Sequence, residues 1–271
     1  MVNTLVTGLK AQDDPSARVP VPFQLDSRFQ GKKDQEFVLA AIDIGTNSIH
    51  MVIARIDPVL PSFHIIAKEK DTVRLGDFCE ATGNLTKEAM LRGIDSLKRC
   101  LKVAERFNAD DVVAVATSAV REAGNGAAFI DRVKAEVGLS INLISGTEEA
   151  RRIYLGAISG MEFRGRPHAL IDIGGGSTEI TLGSGGTADF LSSNKVGAVR
   201  LSAKFVSSDP ISEKEYDYLR AYVRGVLEPT VDKLKKKLRK KLKENNSAPQ
   251  QPLKVIGTSG TIECLAVLVA V

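Results

Sequence analysis

Apolar residues in this chain cluster in short, dense runs that end on polar, glycine-containing turns. FVLAAIDI (Phe37–Ile44) reads as a buried strand and SIHMVIARI (Ser48–Ile56) as its hairpin partner across a Gly-Thr-Asn turn. FHIIAKEK (Phe63–Lys70) is a third strand. The period then lengthens. From Thr86 to Phe107, the residues Met90, Ile94, Leu97, Leu101 and Ala104 fall on one stripe, which predicts an amphipathic helix. DVVAVAT (Asp111–Thr117) is a short buried strand. A helix near Gly126–Val137, a strand at Ile141–Ile144 and a helix over Glu148–Ile158 follow.

Alternation resumes at HALIDIGGGSTEITLGS (His168–Ser184), again strand, glycine turn, strand. A strand near Phe190–Lys195, helices near 198–206 and 212–244, the strand KVIG and a closing helix complete the pattern. IDIGTNS (Ile42–Ser48) and IDIGGGS (Ile171–Ser177) are near-copies. The repeat predicts an α/β protein of two duplicated lobes, lobe I over 37–164 and lobe II over 165–271. Residues 1–36 carry Pro15, Pro20 and Pro22 among polar residues with no sustained period, and are expected to form a disordered leader. The chain reaches Val271 inside an apolar helical stretch without a capping signal, so lobe II is expected to be truncated.

Composition narrows the setting. A hydrophobic share of 43% suits one or two ordinary cores. Cys79, Cys100 and Cys264 are widely spaced with no CxxC pair, which argues against a disulfide framework or a zinc site and for a reducing compartment. No basic stretch followed by an apolar core marks a signal peptide. The longest apolar run, Leu265–Val271, falls far short of the ~20 residues that span a bilayer. A cytoplasmic location with no membrane partner is expected.

The turns carry the candidate chemistry. A tight turn after a buried strand exposes successive N–H groups, and glycine lets an anion approach them. Gly45, Thr46, Asn47 and Ser48 form one such turn; Gly174, Gly175, Gly176, Ser177 and Thr178 form the second. A third loop, Gly257, Thr258, Ser259 and Gly260, follows a strand and opens a helix, adding the positive end of a helix dipole. Asp43 and Asp172 end their strands just before the turns, where a carboxylate holds Mg²⁺ against phosphate oxygens, and Glu179 on the returning strand is placed to share the ion. One glycine turn alone is an ordinary hairpin. Two copies, each led by aspartate, favour phosphate binding, with the turns gripping a phosphate group across an interdomain cleft.

With these segments in view, the chain resembles the exopolyphosphatase / guanosine pentaphosphate phosphohydrolase (Ppx/GppA) family, within the actin-like ATPase and sugar-kinase superfamily. AAIDIGTNSIHMVIARID, ATSAVREAGN, ISGTEEAR, IDIGGGSTEI and IGTSGTIE carry the resemblance in the family's order, and NSIHMVIARI looks like the exopolyphosphatase branch. The resemblance implies two actin-like (ribonuclease H-like) lobes with a cleft between them. Family members usually continue into a helical C-terminal region, which this chain is expected to lack. It also implies hydrolysis of the terminal phosphoanhydride of inorganic polyphosphate or of pppGpp with Mg²⁺ or another divalent cation, and, since members are often dimers, a homodimer. On the family's motifs the catalytic glutamate falls on Glu149, a phosphate-facing arginine on Arg121, and metal-associated acids on Asp172 and Glu179. Local chemistry is compatible. Ser145-Gly146-Thr147-Glu148 has the form of a capping box, which gives Glu148 a structural role and leaves Glu149 to orient and deprotonate a water. Taken alone, Glu149 reads as a helix-start acid, Arg121 as a surface ion-pair partner, and His50, which aligns with Glu179 under the repeat, as a packed strand residue.

KLKKKLRKKLK (Lys233–Lys243) places eight positive charges in eleven residues, with Leu227, Val231, Leu234, Leu238 and Leu242 at helical spacing. The plain reading is a solvated face over a packed leucine stripe. The sharper one is a landing surface for a polyanion such as polyphosphate. No aromatics interleave, so a base-stacking nucleic-acid site is not expected. Exopolyphosphatase is therefore the leading expectation, pppGpp phosphohydrolase its near rival. A phosphotransferase and a non-catalytic polyphosphate- or nucleotide-binding regulator are the more distant ones.

Overall fold

A computed structural model describes residues 35–58, 62–79, 82–161, 166–184, 186–244 and 253–269. Nearly all of the expected leader lies outside the described residues. The chain divides into two units between Ile144 and Ser145.

The first unit is built on a five-stranded sheet. β1 (Phe37–Ile44) pairs antiparallel with β2 (Ile49–Asp57), which pairs antiparallel with β3 (Ser62–Asp71). On its other side β1 runs parallel to β6 (Asp111–Ala116), itself parallel to β7 (Ile141–Leu143). Between β3 and β6 lie a short ribbon, β4 (Phe78–Cys79) with β5 (Asn84–Leu85), and the helix α1 (Lys87–Arg106). Period-two patterning explains the inner strands: Ala40, Ile42 and Ile44 of β1 are buried, while Ala41 and Asp43 between them face out. The Thr86 hydroxyl caps α1 by accepting from the Ala89 N–H at 3.1 Å. The predicted stripe is the packed face, with Met90, Ile94, Leu97 and Ala104 buried and Leu101 partly so. A short helix α2 (Ser118–Glu122), not anticipated from sequence, follows β6. α3 (Gly126–Val137) ends on Gly138, whose φ of 74° is the left-handed cap geometry that glycine adopts without strain.

The second unit repeats the plan. β8 (Pro167–Ile173), β9 (Thr178–Ser184) and β10 (Thr187–Asn194) form an antiparallel meander, and β11 (Lys254–Thr258) lies parallel beside β8. The orders β3-β2-β1-β6 and β10-β9-β8-β11 therefore correspond strand for strand. Duplication, inferred from seven residues, extends to whole sheets, each with ribonuclease H-like strand order.

The division between the units differs from the expected one at 164/165. Helix α4 (Gly146–Gly160) packs on β9 and β10 and belongs to the second unit. Tyr154 explains why. Its ring is fully buried and stacks on His168 of β8 at 5.5 Å between centroids, and its hydroxyl donates to the Thr187 carbonyl at 2.9 Å. Gly183 leaves room for that ring: a Cβ there would lie 2.3 Å from the Tyr154 hydroxyl oxygen. The remaining helices are α5 (Ala198–Phe205), α6 (Glu213–Glu244) and α7 (Gly260–Val269). Among the described residues, no helix is long and apolar enough to cross a membrane. Cys100 is buried, its thiol pushed up to about 11 by burial, and Cys264 is exposed; both are free thiols.

Candidate phosphate site

The second glycine turn is held from behind. Gly174 N–H closes the turn on the Ser177 carbonyl at 3.0 Å. The start of α5 then takes up the turn's carbonyls: Ala198 N–H donates to Gly174 O at 2.9 Å, Arg200 N–H to Gly175 O at 3.0 Å, and Arg200 Nε to Gly176 O at 2.7 Å. In a planar trans peptide the carbonyl and the following N–H point in opposite directions. Fixing the carbonyls of Gly174, Gly175 and Gly176 toward α5 therefore aims the N–H groups of Gly175, Gly176 and Ser177 away from it, as a row of donors. Gly197 permits this backing, since a Cβ there would stand 2.5 Å from Gly175 O and from the Gly176 carbonyl carbon.

Several hydroxyls expected to face phosphate are engaged in the frame. Thr178 donates to the Val196 carbonyl, Thr258 to Asp172 Oδ2 at 2.7 Å, and Ser259 to the Ile173 carbonyl at 3.1 Å. Gly257 is part of β11, and a Cβ there would press on Ile262 of α7 at 2.6 Å, so its smallness serves packing. Gly260 opens α7.

The acids converge within this unit. Asp172 and Glu179 are opposed residues on β8 and β9 and share a sheet face. Glu179 is only 1% exposed, and Ser193 donates to its Oε1 at 2.7 Å. Burial, followed by the charge of Glu149, pushes the Glu179 carboxyl up to about 7. Hydrogen bonds from Ser193 and Ser177 act the other way, and Asp172 adds a smaller upward push. Asp172 is also raised, by burial first; bonds from Thr258 and Ser259 oppose this, and Glu263 of α7 reinforces it. Glu149, Asp172 and Glu179 thus form one electrostatic neighbourhood.

α4 positions Glu149. Ser145 caps the helix, its hydroxyl accepting from Glu148 N–H at 3.1 Å. The other half of the expected capping box is not made. The Glu148 carboxylate instead grips Arg151 at 2.6 and 2.7 Å and Arg152 at 2.8 Å. Burial alone would raise its pKa, but the two guanidinium groups outweigh burial and hold it low. Two adjacent glutamates are thereby separated, one locked in ion pairs and the other, half-buried, coupled to Glu179.

In the first unit the turn is braced similarly. Gly45 N–H donates to Ser48 O at 3.0 Å, Gly76 N–H to Thr46 O at 2.8 Å and Arg74 N–H to Asn47 O at 2.8 Å. This directs the N–H groups of Asn47 and Ser48 away from those donors. Buried Thr46 and Ser118 share a hydroxyl hydrogen bond of 2.8 Å. Arg121, on α2, donates from Nη1 to the Ile144 carbonyl at 2.9 Å. Asp43 is exposed, and its opposed residue on β2 is His50, not an acid. His50 is exposed as well, contrary to the expectation of a packed residue, because register places it on the same outward face as Asp43. The acid pair is a property of the second turn.

Among the described residues, no group of three or more His, Cys, Asp or Glu side chains is arranged to hold a metal ion. The pair Asp172–Glu179 nevertheless fits the chemistry of Mg²⁺, which takes one or two carboxylates and completes its octahedron with water and substrate phosphate oxygens. Both carboxyls are raised chiefly by burial, which disfavours their charged forms, a condition that a divalent cation relieves.

Fold and turns together define a class of duplicated α/β proteins with aspartate-led glycine turns. Within that class, residues 52–271 match the model of the Ppx/GppA phosphatase family, and the chain belongs to it. It is 35% identical over 200 residues to exopolyphosphatase 2 of Mycobacterium tuberculosis, covering 71% of this chain and 62% of that protein. It is 34% identical over 226 residues to the guanosine-5'-triphosphate,3'-diphosphate pyrophosphatase of Photobacterium profundum, covering 83% of this chain and 42% of that one. The chain thus spans less than two thirds of these relatives. Among solved structures, an exopolyphosphatase from Cytophaga hutchinsonii superposes with a TM-score of 0.73 at 32% identity, covering 86% of this chain and 70% of the other. The Aquifex aeolicus PPX-GPPA enzyme gives 0.65 at 30%, covering 86% and 71%.

Proposed function

We propose that this protein is an exopolyphosphatase, hydrolysing the terminal phosphoanhydride of inorganic polyphosphate and releasing orthophosphate. The observation that carries the reading is the grouping of Glu149, Asp172 and Glu179 beside a turn whose amides are aimed by α5. In this reading the N–H groups of Gly175, Gly176 and Ser177 bind oxygens of the terminal phosphoryl group. They offer donors that need no reorganisation as charge shifts in the transition state. Glu149 accepts a proton from the attacking water and orients it in line with the leaving oxygen. Asp172 and Glu179 would hold Mg²⁺, which would neutralise phosphate charge. Thr258 and Ser193 keep those carboxylates in place. In the first unit by itself, Thr46, Asn47, Ser48 and Arg121 form a second candidate set of phosphate donors. The reaction would take place in the cytoplasm.

The names of relatives support both substrates of the family: an exopolyphosphatase and a pppGpp-type pyrophosphatase stand at similar identity. Polyphosphate is favoured by the lysine-rich segment Lys233–Lys243, which lacks any aromatic residue to stack on a base. Comparing kcat/KM for the two substrates tests this choice. The expected result is a higher value for polyphosphate; a higher value for pppGpp reverses the assignment.

A further inference from the structure

The long helix α6 is anchored at two points of the second sheet. Near its middle, the Thr230 hydroxyl donates to Asn194 Oδ1 at 2.7 Å, and Asn194 Nδ2 donates to the carbonyl of Thr178, which borders the second glycine turn. Farther along, Lys241 forms a mostly buried ion pair with Asp189 at the other end of β10. Leu234, Leu238 and Leu242 are partly buried on the side that packs toward β9 and β10, so the leucine stripe is not offered to a membrane. The helix thus runs along β10, from its end beside the glycine turn toward the strand's other end.

Its outward face has one sign of charge. Lys236, Arg239, Lys240 and Lys243 are exposed and line an open concavity of about 310 Å³. Their spacing of three and four residues stacks them along one side of the helix, and no acid occurs between Lys233 and Lys243. Like charges at this spacing repel, and a helix adapted only to solvent alternates signs instead. At a rise of about 1.5 Å per residue, Lys236 lies ~9 Å and Lys243 ~20 Å beyond Thr230 along the helix axis.

We propose that this face is a second binding site for polyphosphate, which holds internal phosphates of the chain while its end is at the glycine turn. This rests on the polyphosphate reading above. A linear polyanion of closely spaced charges matches a row of lysines, which act as point charges and demand no planar partner. Counterion release supplies the affinity. Single-stranded RNA would use the same charges, but the stretch Lys233–Lys243 offers no aromatic platform for bases, the tyrosines of α6 all lying before Pro229.

The test is titration of the full chain and of a variant with Lys236→Gln, Arg239→Gln, Lys240→Gln and Lys243→Gln. The probes are long-chain polyphosphate, tripolyphosphate and a single-stranded RNA of equal charge. With four contacts at a slope of about −0.7 each, the variant should lose about 3 from the slope of log K against log salt. Its affinity for long chains should fall at least tenfold at low salt, against less than twofold for tripolyphosphate. A variant with arginine at all four positions should keep long-chain binding, which separates charge from a folding defect. Unchanged long-chain affinity or salt slope in the glutamine variant overturns the proposal, as does tighter binding of RNA than of polyphosphate by the native chain. Binding is measured without turnover, so these outcomes stand even if the hydrolytic reading fails.

Discussion

Asp172 and Glu179 face each other across adjacent antiparallel strands, one half-buried and the other almost wholly so, each with a hydroxyl donor of its own. Burial, more than repulsion within the pair, raises both carboxyls, at the place where the proposed reaction needs a cation.

The first consequence is a pH dependence of stability. Glu179 moves from an ordinary 4.5 to about 7 in the fold. Between those values the native state binds more protons than the unfolded one, so stability falls as pH rises through the window and is greatest below it. Glu179→Gln removes this dependence. Relative to native, the variant should gain on the order of 3 kcal/mol between pH 4 and pH 8 in urea unfolding. Equal pH profiles for the two proteins would contradict the assignment. Mg²⁺ should stabilise the native chain more at pH 8 than at pH 5, since a protonated carboxyl does not bind the ion.

Thr258 donates to Asp172 at 2.7 Å, and Thr258→Val keeps its shape while deleting the donor. Asp172 should then titrate higher still, and cation affinity should drop about 10-fold or more, as for other partners of metal ligands. Isothermal titration with Mg²⁺ reads this directly, and unaltered affinity would remove Asp172 from the cation site.

Gly197 stands where any Cβ would meet the backbone of Gly175 and Gly176 at 2.5 Å. Backbone does not yield as a flexible side chain does, so Gly197→Ala should displace the turn. A displacement near 1 Å costs roughly 100-fold in turnover. Phosphate release from polyphosphate, with circular dichroism to confirm the fold, checks the prediction.

Much of this architecture was legible in sequence because it is local. Period-two runs marked the strands of both meanders, Thr86 and Ser145 announced their helices, and the repeated aspartate-glycine phrase located both turns. The arrangement behind the second turn was not legible, since Gly197 and Arg200 reach it only through tertiary packing. The unit to which helix α4 belongs was not legible for the same reason: Tyr154, His168 and Gly183 fit together only once the sheet exists. Ser193 gave no signal either, because its register opposite Glu179 depends on an irregularity in β10. Glu148 showed the limit of a local motif. Its N–H made the capping bond, while its carboxylate went to two arginines one turn on.

The central claim is that Glu149 activates the attacking water, and Glu149→Gln tests it with the least change in shape. Phosphate release from long-chain polyphosphate should fall by about 10²- to 10⁴-fold, the usual range for a lost general base, with thermal stability close to native. Turnover within a few-fold of the native protein, in a variant shown to be folded, would contradict the account.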